Sequence, residues 1–501
     1  MPRASALVAL ALLGACAGPR NQIVEDRFDL AESSSAPVVT EVADLGGGDV
    51  PLSGLLPLEA AAASDGVAVI GETLWIHGRS FGRQPSVIVG GRPAAVLART
   101  RDGGILARVP PLTPAGPQPL VVANDVGRGE KTITVRRFAA ALSGDAGKVA
   151  WAELTPDGPG AASVMPATGR RLLAMSPDGR AAYLAAADRS ILDVVDVAAN
   201  GAPKVVYTLD IDKQPVLVLA AAARAWTVAL VRAKDVMLLD LTSSAVRPVR
   251  SALRPLPPEI RDVRIVSADL SPDGKTLAVA TDEGNKVTLL DVSARGQATT
   301  LTSLSVVPDA RESIIADVAF SPMGDTLWIT TGDTDRSRAS GPQPTQVHAA
   351  RLENGALNLA RTVTIREAGG PDRLSTGRTI PLASGSAIRL PPERATVFVA
   401  ARAATAEGKE AGATPNGIVF RVGAEDAATA MLTEAGRFGQ PDLSPDGRWL
   451  LTSLIAPDGS VRLFAARADA RPGAPRSVPL MGPTPKPAGR DHQLPSVRVQ
   501  P

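Results

Sequence analysis

Between Val67 and Val135 apolar and polar residues alternate with period two, and glycines and prolines cut the run into short pieces. Leu74 and Ile76 face one way while Thr73, Trp75 and His77 face the other, the pattern of a strand with one buried side. Several such strands within roughly 70 residues predict a small β-sandwich. From about residue 148 onward the pattern becomes a repeat, and the repeat predicts the second architecture.

Ser176-Pro177-Asp178-Gly179, Ser271-Pro272-Asp273-Gly274 and Ser444-Pro445-Asp446-Gly447 are identical, and Ser321-Pro322-Met323-Gly324 is a close variant. Each lies between two short apolar runs. The tetrapeptide is turn chemistry: proline fixes φ, aspartate caps the turn and glycine takes the left-handed position. A third strand ends in an apolar-Asp-apolar signature at Val195-Asp196-Val197, Leu239-Asp240-Leu241 and Leu290-Asp291-Val292. The spacing fits a unit of roughly 50 residues with two units lacking the tetrapeptide. Those units are Val216 to Leu241, and Ala387 to Val422, where Pro391-Pro392-Glu393-Arg394 stands in the turn. Six repeats are therefore visible, and Lys148 to Met165 with Ser477 to Val499 supply a seventh that closes a ring by pairing the two ends. The longest later apolar stretch, Val216 to Val231, is broken by Arg224 and reads as two strands, not a membrane span.

These turns resemble those of TolB-like, YVTN-type and lactonase-type β-propellers. The resemblance implies a six- or seven-bladed β-propeller with WD40-like repeats and is nearly silent on function. The earlier segment resembles an IPT/TIG domain, an immunoglobulin-like module. The residues that carry this are Ile76, Gly78, Phe81 and Gly82, then Val87, Val89, Gly90 and Gly91, then Ala107, Val109 and Pro110, and finally Gly116, Val121, Asn124 and Gly127. Such modules mediate protein or glycan contacts or act as spacers. The expected fold class is all-β: a small Ig-like β-sandwich plus a six- or seven-bladed β-propeller.

Ahead of both lies a short basic start and the run Leu7 to Cys16, LVALALLGAC. Its apolar part is too short to cross a bilayer and has the flanks of an export signal. It resembles a bacterial lipoprotein signal peptide ending in a lipobox, which implies that Cys16 becomes an acylated first residue. Palmitate-length chains on Cys16 add ~0.8 kcal/mol per buried methylene and would anchor the chain without a spanning helix. Cys16 is the only cysteine, so no internal disulfide is available. Ala17 in place of aspartate favours the outer membrane, on its periplasmic or cell-surface side. Residues 16–62, with Ser33-Ser34-Ser35, Gly46-Gly47-Gly48 and Ala60 to Ala63, lack a sustained period and read as a flexible linker. The expected domains are residues 1–15 (signal peptide), 16–62 (linker), 63–138 (sandwich) and 145–501 (propeller).

Charge narrows the partners. The 53 basic and 51 acidic residues nearly cancel, so no strong overall field points to nucleic acid or an anionic membrane. Arginines such as Arg247, Arg250, Arg254, Arg261 and Arg264 are interrupted by prolines and acids and read as a solvated face. The three histidines, His77, His348 and His492, form no paired-ligand motif, so each is expected to be structural rather than a metal ligand. Asp178, Asp273 and Asp446 supply one carboxylate per turn on different repeats and read as turn caps, not calcium ligands. Asp333 and Asp335 form the densest acidic pair, in a loop running from Thr331 to about Thr345; a second long loop spans Ala403 to Pro415. No nucleophile elbow or phosphate-binding glycine loop is present.

The sequence therefore predicts a membrane-anchored extracytoplasmic lipoprotein with Cys16 as the lipidation site and no catalytic, cofactor or metal residues. Its expected role is non-enzymatic: a binding or scaffold protein for other cell-envelope proteins, held at the membrane by its lipid. Oligomeric state is left open. Two alternatives stand beside it. One is a lactonase-like hydrolase with a cluster of acids or histidines at one channel mouth. The other is adhesion or glycan binding through the IPT/TIG module, marked by an exposed Trp75 or Trp151.

Overall fold

The computed structural model describes residues 35–45, 65–333, 345–365, 397–402, 416–481 and 496–500, apart from short breaks within these ranges. Among the described residues every regular element is a strand, so the protein is all-β. Two sheets come from the first part of the chain. One orders Val38–Asp44, Thr73–Arg79, Ile105–Arg108 and Val96–Arg99; the other orders Val67–Val69, Arg128–Arg136, Gly116–Ala123, Ser86–Val89 and Arg92–Ala94. Ile76, Val89, Ile105, Leu120 and Val122 meet between them in one buried core. These are the inward members of the period-two alternation.

One boundary differs from the sequence reading. Residues 16–62 were expected to be linker throughout, yet Val38–Asp44 pairs antiparallel with Thr73–Arg79. Its sequence, VVTEVAD, does not alternate strictly; the strand exists because it covers an otherwise open sheet edge. The rest of that stretch that precedes residue 35 or follows residue 45, Cys16 included, lies outside the described residues.

The remaining strands build seven sheets. Blade 1 joins Phe138–Ser143, Lys148–Thr155 and Gly158–Pro166 to the last strand, Ser496–Val499. Blade 2 runs from Arg170–Met175 through Ala181–Ala186 and Ile191–Asp196 to Lys204–Asp210, and blade 3 starts at Val218–Ala221. Blade 4 spans Ile265–Leu270 to Thr299–Ser305, and blade 5 spans Ser313–Phe320 to Ala356–Ile365. Blade 6 has Val397–Arg402, Asn416–Val422 and Ala428–Ala435 as its described strands, and blade 7 ends at Arg476–Met481. Each neighbouring pair of blades shares one apolar cluster, and the cluster holding Val497 with Leu451 and Leu463 joins blade 7 back to blade 1. The sheets therefore close into a seven-bladed propeller. A single blade would leave both faces wet, whereas the closed ring buries them against each other.

Ring closure uses less of the carboxyl end than the sequence reading assigned. Arg476–Met481 completes blade 7, and only Ser496–Val499 crosses to blade 1, pairing with Phe138–Ser143. That partner strand, FAAALS, falls at the expected domain boundary and shows no alternation because both of its faces are buried. Phe138, Ala140 and Leu142 point to the blade 2 side, while Ala139 and Ala141 point to blade 7.

The turn chemistry is explicit. Ser176 Oγ donates to Asp178 Oδ1 at 2.6 Å and accepts from Ala181 N at 2.9 Å, while Gly179 holds φ at 74°. Ser271, Asp273 and Thr276 repeat these contacts in blade 4. In blade 5, where methionine replaces the aspartate, Asp325 accepts from Ser321 Oγ instead, at 2.8 Å.

Val497 is fully buried opposite Ala141 in the closing pair. Val497→Asp should place an unpaired charge in the blade 7–blade 1 cluster and cost several kcal/mol. A large fall in melting temperature would be expected; a melting temperature within a degree or two of the wild type would contradict closure through this strand.

Candidate functional site

The chemistry-bearing residues singled out from sequence do not converge. His348 is buried in blade 5, with Nε2 3.0 Å from Thr331 Oγ1 and Nδ1 2.9 Å from Thr362 Oγ1. Burial lowers its pKa from 6.5 to about 4, so it is neutral at ordinary pH and serves as a cross-strand hydrogen-bond bridge. His77 lies in the sandwich, its ring 3.9 Å from Trp75 and its Nδ1 3.3 Å from Asp102. Asp178 and Asp273 sit in their separate turns. Cys16, Asp335, Asp446, His492 and residues 403–415 lie outside the described residues, as does the loop that follows Asp333. Trp75 and Trp151 are both buried, so neither is the exposed aromatic that would have supported a glycan-binding reading. Among the described residues no three His, Cys, Asp or Glu side chains are grouped as a metal site would need.

What the fold does bring together is a polar seam between the sandwich and blades 1 to 3. The turn before Thr73 presses Gly71, at φ 80°, against blade 2; a Cβ there would lie 2.7 Å from the Asp178 carbonyl oxygen and 2.8 Å from Arg180 Cβ. The next residue, Glu72, is buried and accepts a 2.8 Å hydrogen bond from Val69 N. Burial pushes its pKa up from 4.5 to about 8; Asp44 and Asp196 add to the rise, while the Val69 N–H and Arg180 oppose it. Glu72 is thus a neutral acid at neutral pH, facing the buried pair Arg180–Asp196, whose closest atoms are 3.8 Å apart. Arg108, at the end of a sandwich strand, reaches Asp178 at 3.4 Å and lies over the Trp226 ring of blade 3. Arg136 pairs with Glu153 of blade 1 at 2.9 Å.

The centre of the seam is Arg137. Its buried guanidinium donates to the Thr113 carbonyl of the sandwich at 2.5 Å and to the Gln500 carbonyl, just past the closing strand, at 3.0 Å. Gln500 in turn accepts from Phe138 N through its side-chain oxygen at 2.7 Å and donates through Nε2 to the Gly179 carbonyl of blade 2, also at 2.7 Å. One cation and one amide therefore tie sandwich, blade 1 and blade 2 together.

A second set of polar groups runs along the first strands of the blades. Asp269 Oδ2 accepts from Phe320 N of blade 5 at 2.8 Å, and Asp442 Oδ2 accepts from Val499 N of blade 1 at 2.8 Å. Ser267 Oγ donates to Asp317 Oδ1 across the same blade 4–blade 5 boundary, at 2.5 Å. The first strand of each blade is a sheet edge, and its N–H groups need acceptors. Asp269 and Asp442 supply them from the neighbouring blade, while Asp317 accepts from Val318 N of its own blade and from the Ser267 hydroxyl of blade 4. Asp269 and Asp317 are buried and Asp442 is half-buried, and each bridges two neighbouring blades.

Sequence reasoning passed over Glu72, Arg137, Gln500 and the inner acids. The repeat did contain a signal. Asp240 is exposed and Asp291 half-buried, and both cap their own turns through Thr242 and Ser293, whereas the equivalent Asp196 is fully buried against the sandwich. No sequence rule distinguishes these three positions before the sandwich is placed.

No protein-family model matches this chain, and no curated protein matches it significantly. Solved structures do resemble it in fold. A candidate 6-phosphogluconolactonase from Bacteroides uniformis is 15% identical, with 72% of this chain and 99% of that one covered and a TM-score of 0.46. A second, from Bacteroides fragilis, is 13% identical over 68% of this chain and 94% of that one, with a TM-score of 0.46. The β-propeller domain of Cps50 (Swd1) from Myceliophteria thermophila is 15% identical over 67% and 96%, with a TM-score of 0.43. One expectation is corrected here. The sequence reading called the chain no enzyme, but proteins named as candidate lactonases carry this propeller fold. A propeller site is assembled from scattered loop residues, so missing motifs do not license that exclusion.

Because Glu72 is held protonated in the fold, its contribution to stability is complete below pH 4.5 and is lost as pH rises towards 8, on the order of 4–5 kcal/mol over that window. Glu72→Gln should therefore melt above the wild type at pH 8, and the gap should close at pH 5. An equal gap at both pH values would contradict the buried neutral acid.

Proposed function

We propose that this chain is a lipid-anchored extracytoplasmic protein in which an IPT/TIG-like sandwich carries a TolB/YVTN-like propeller into an outer-membrane-associated assembly, with envelope proteins as partners. The observation that carries this reading is the seam. It fixes the sandwich to the face of the ring that bears the Ser-Pro-Asp-Gly turns, through Gly71, Arg108 and Arg137. The opposite face is left for recognition. The strands that flank three long connections within and after the blades, Asp333 to Thr345, Arg402 to Asn416 and Met481 to Ser496, end on that opposite face by strand direction. Long connections held by a rigid scaffold are where propellers vary their binding. The signal-like run ending at Cys16 supports anchoring, and anchoring confines the search for partners to the membrane plane and raises their effective concentration.

In cells labelled with an alkynyl palmitate analogue, the full chain should take up the label and fractionate with membranes, and Cys16→Ala should do neither. Crosslinking followed by mass spectrometry should recover envelope proteins with the wild type and fewer with Cys16→Ala. Unlabelled wild type would sink the anchor, and recovery of the bait alone would sink the assembly role.

A further inference from the structure

The near-zero net charge of the chain hides a local asymmetry at the pole of the sandwich farthest from the propeller. The strand Thr73–Arg79 begins beside Glu72 in the seam and ends about 20 Å away. The described chain enters at that far end. Val38 pairs with Arg79, Ser35 Oγ donates to Ser80 Oγ at 2.8 Å, and Asn124 Nδ2 donates to the carbonyls of Ser35 and Ser80 at 3.0 and 2.8 Å. Gly127 packs against Ala36, and Arg128 follows it.

Four arginines gather around this entry point. Arg79, Arg83 and Arg128 are exposed. Arg99 is half-buried, over the Phe81 ring, donating to the carbonyls of Gly82 and Gly103 at 3.3 and 2.9 Å. Among the described residues no ion pair engages any of the four. The acids nearby are Asp102, held by Thr100 and His77, exposed Asp125, and exposed Glu130 and Glu41 on the strands of Arg128 and Val38. Beside them Val126 and Val38 are exposed apolar side chains, 52% and 39% accessible. Cationic guanidinium groups flanking exposed valines at the root of a tether form a surface that suits lipid phosphates.

We propose that this pole is a membrane-facing surface that lies against anionic phospholipid headgroups. This rests on the proposed lipidation of Cys16, because the tether is what brings the pole to a bilayer. Only eighteen residues separate Cys16 from Ser35, a span of at most about 70 Å. The chain joins the folded body at the arginine-bearing pole and not at the propeller, so the tether is rooted beside the arginines. Its contact with headgroups would stand the propeller away from the membrane, with the face opposite the sandwich turned outward to partners. An anionic surface attracts each nearby arginine, and salt screens that attraction.

The test uses the full chain carrying Cys16→Ala, so that binding does not depend on acylation and a failed anchor cannot be mistaken for a failed surface. Sedimentation with phosphatidylcholine vesicles containing phosphatidylglycerol should show binding at low salt that is lost at about 1 M salt, where the Debye length is ~3 Å. Vesicles of phosphatidylcholine alone should bind little. Adding R79Q, R83Q and R128Q should weaken binding about tenfold or more with an unchanged melting temperature, and adding R247Q and R250Q on blade 3 should leave it intact. Arg99 is spared because it holds two backbone carbonyls. Absent binding, equal binding to neutral vesicles, indifference to the pole substitutions, or loss through the blade 3 substitutions would each overturn the proposal.

Discussion

Arg137 is the interaction on which the rest of the structure depends. A guanidinium removed from water must have its donors met, and here the acceptors are backbone carbonyls from two distant parts of the chain, Thr113 and Gln500. Hydrogen bonds from a charged donor contribute about 1.5–3 kcal/mol each, and leaving such a donor buried without them costs more. The arginine therefore favours states in which the sandwich is seated and the last strand is in place at once. Gln500 extends the same logic to blade 2 through the Gly179 carbonyl. Closure of the ring and attachment of the sandwich are one event in energetic terms.

The same requirement, that edge groups find partners, recurs around the ring. Seven blades bury their faces in seven shared apolar clusters, which leaves the inner edge strands as the unsolved part of the packing. Asp269 and Asp442 answer it from neighbouring blades, and Asp317 takes the Ser267 hydroxyl across the blade 4–blade 5 boundary. In blade 2 the turn and Asp196 face the sandwich, with Glu72 and Arg180 as neighbours. The sandwich thus takes part in the propeller's packing and is not merely strung beside it.

Much of this was legible in the sequence, and the reason is local. Alternation around Leu74 and Ile76, and the turn chemistry of Ser176 to Gly179, are decided by residues a few positions apart, so both architectures could be read directly. Val38–Asp44 and Phe138–Ser143 were not legible as to role. The first, VVTEVAD, lacks strict alternation, and the second has two buried faces and no alternation to show. The seam was the least legible part. Glu72, Arg137 and Gln500 are ordinary residues in sequence, and they acquire a role only because ring closure brings position 500 beside position 137. Net charge misled in a similar way, since 53 bases and 51 acids cancel in sum while Arg79, Arg83, Arg99 and Arg128 collect at one pole.

The claim that one latch couples the two architectures is tested most directly by hydrogen exchange on Arg137→Met. The account predicts that amides of the closing pair, Phe138–Ser143 with Ser496–Val499, lose protection together with the seam amides of Ile70 and Gly71, which donate to Arg136 and Val109 carbonyls in the wild type. If one set exchanged faster while the other kept its wild-type protection, closure and docking would be independent, and the coupling would be wrong.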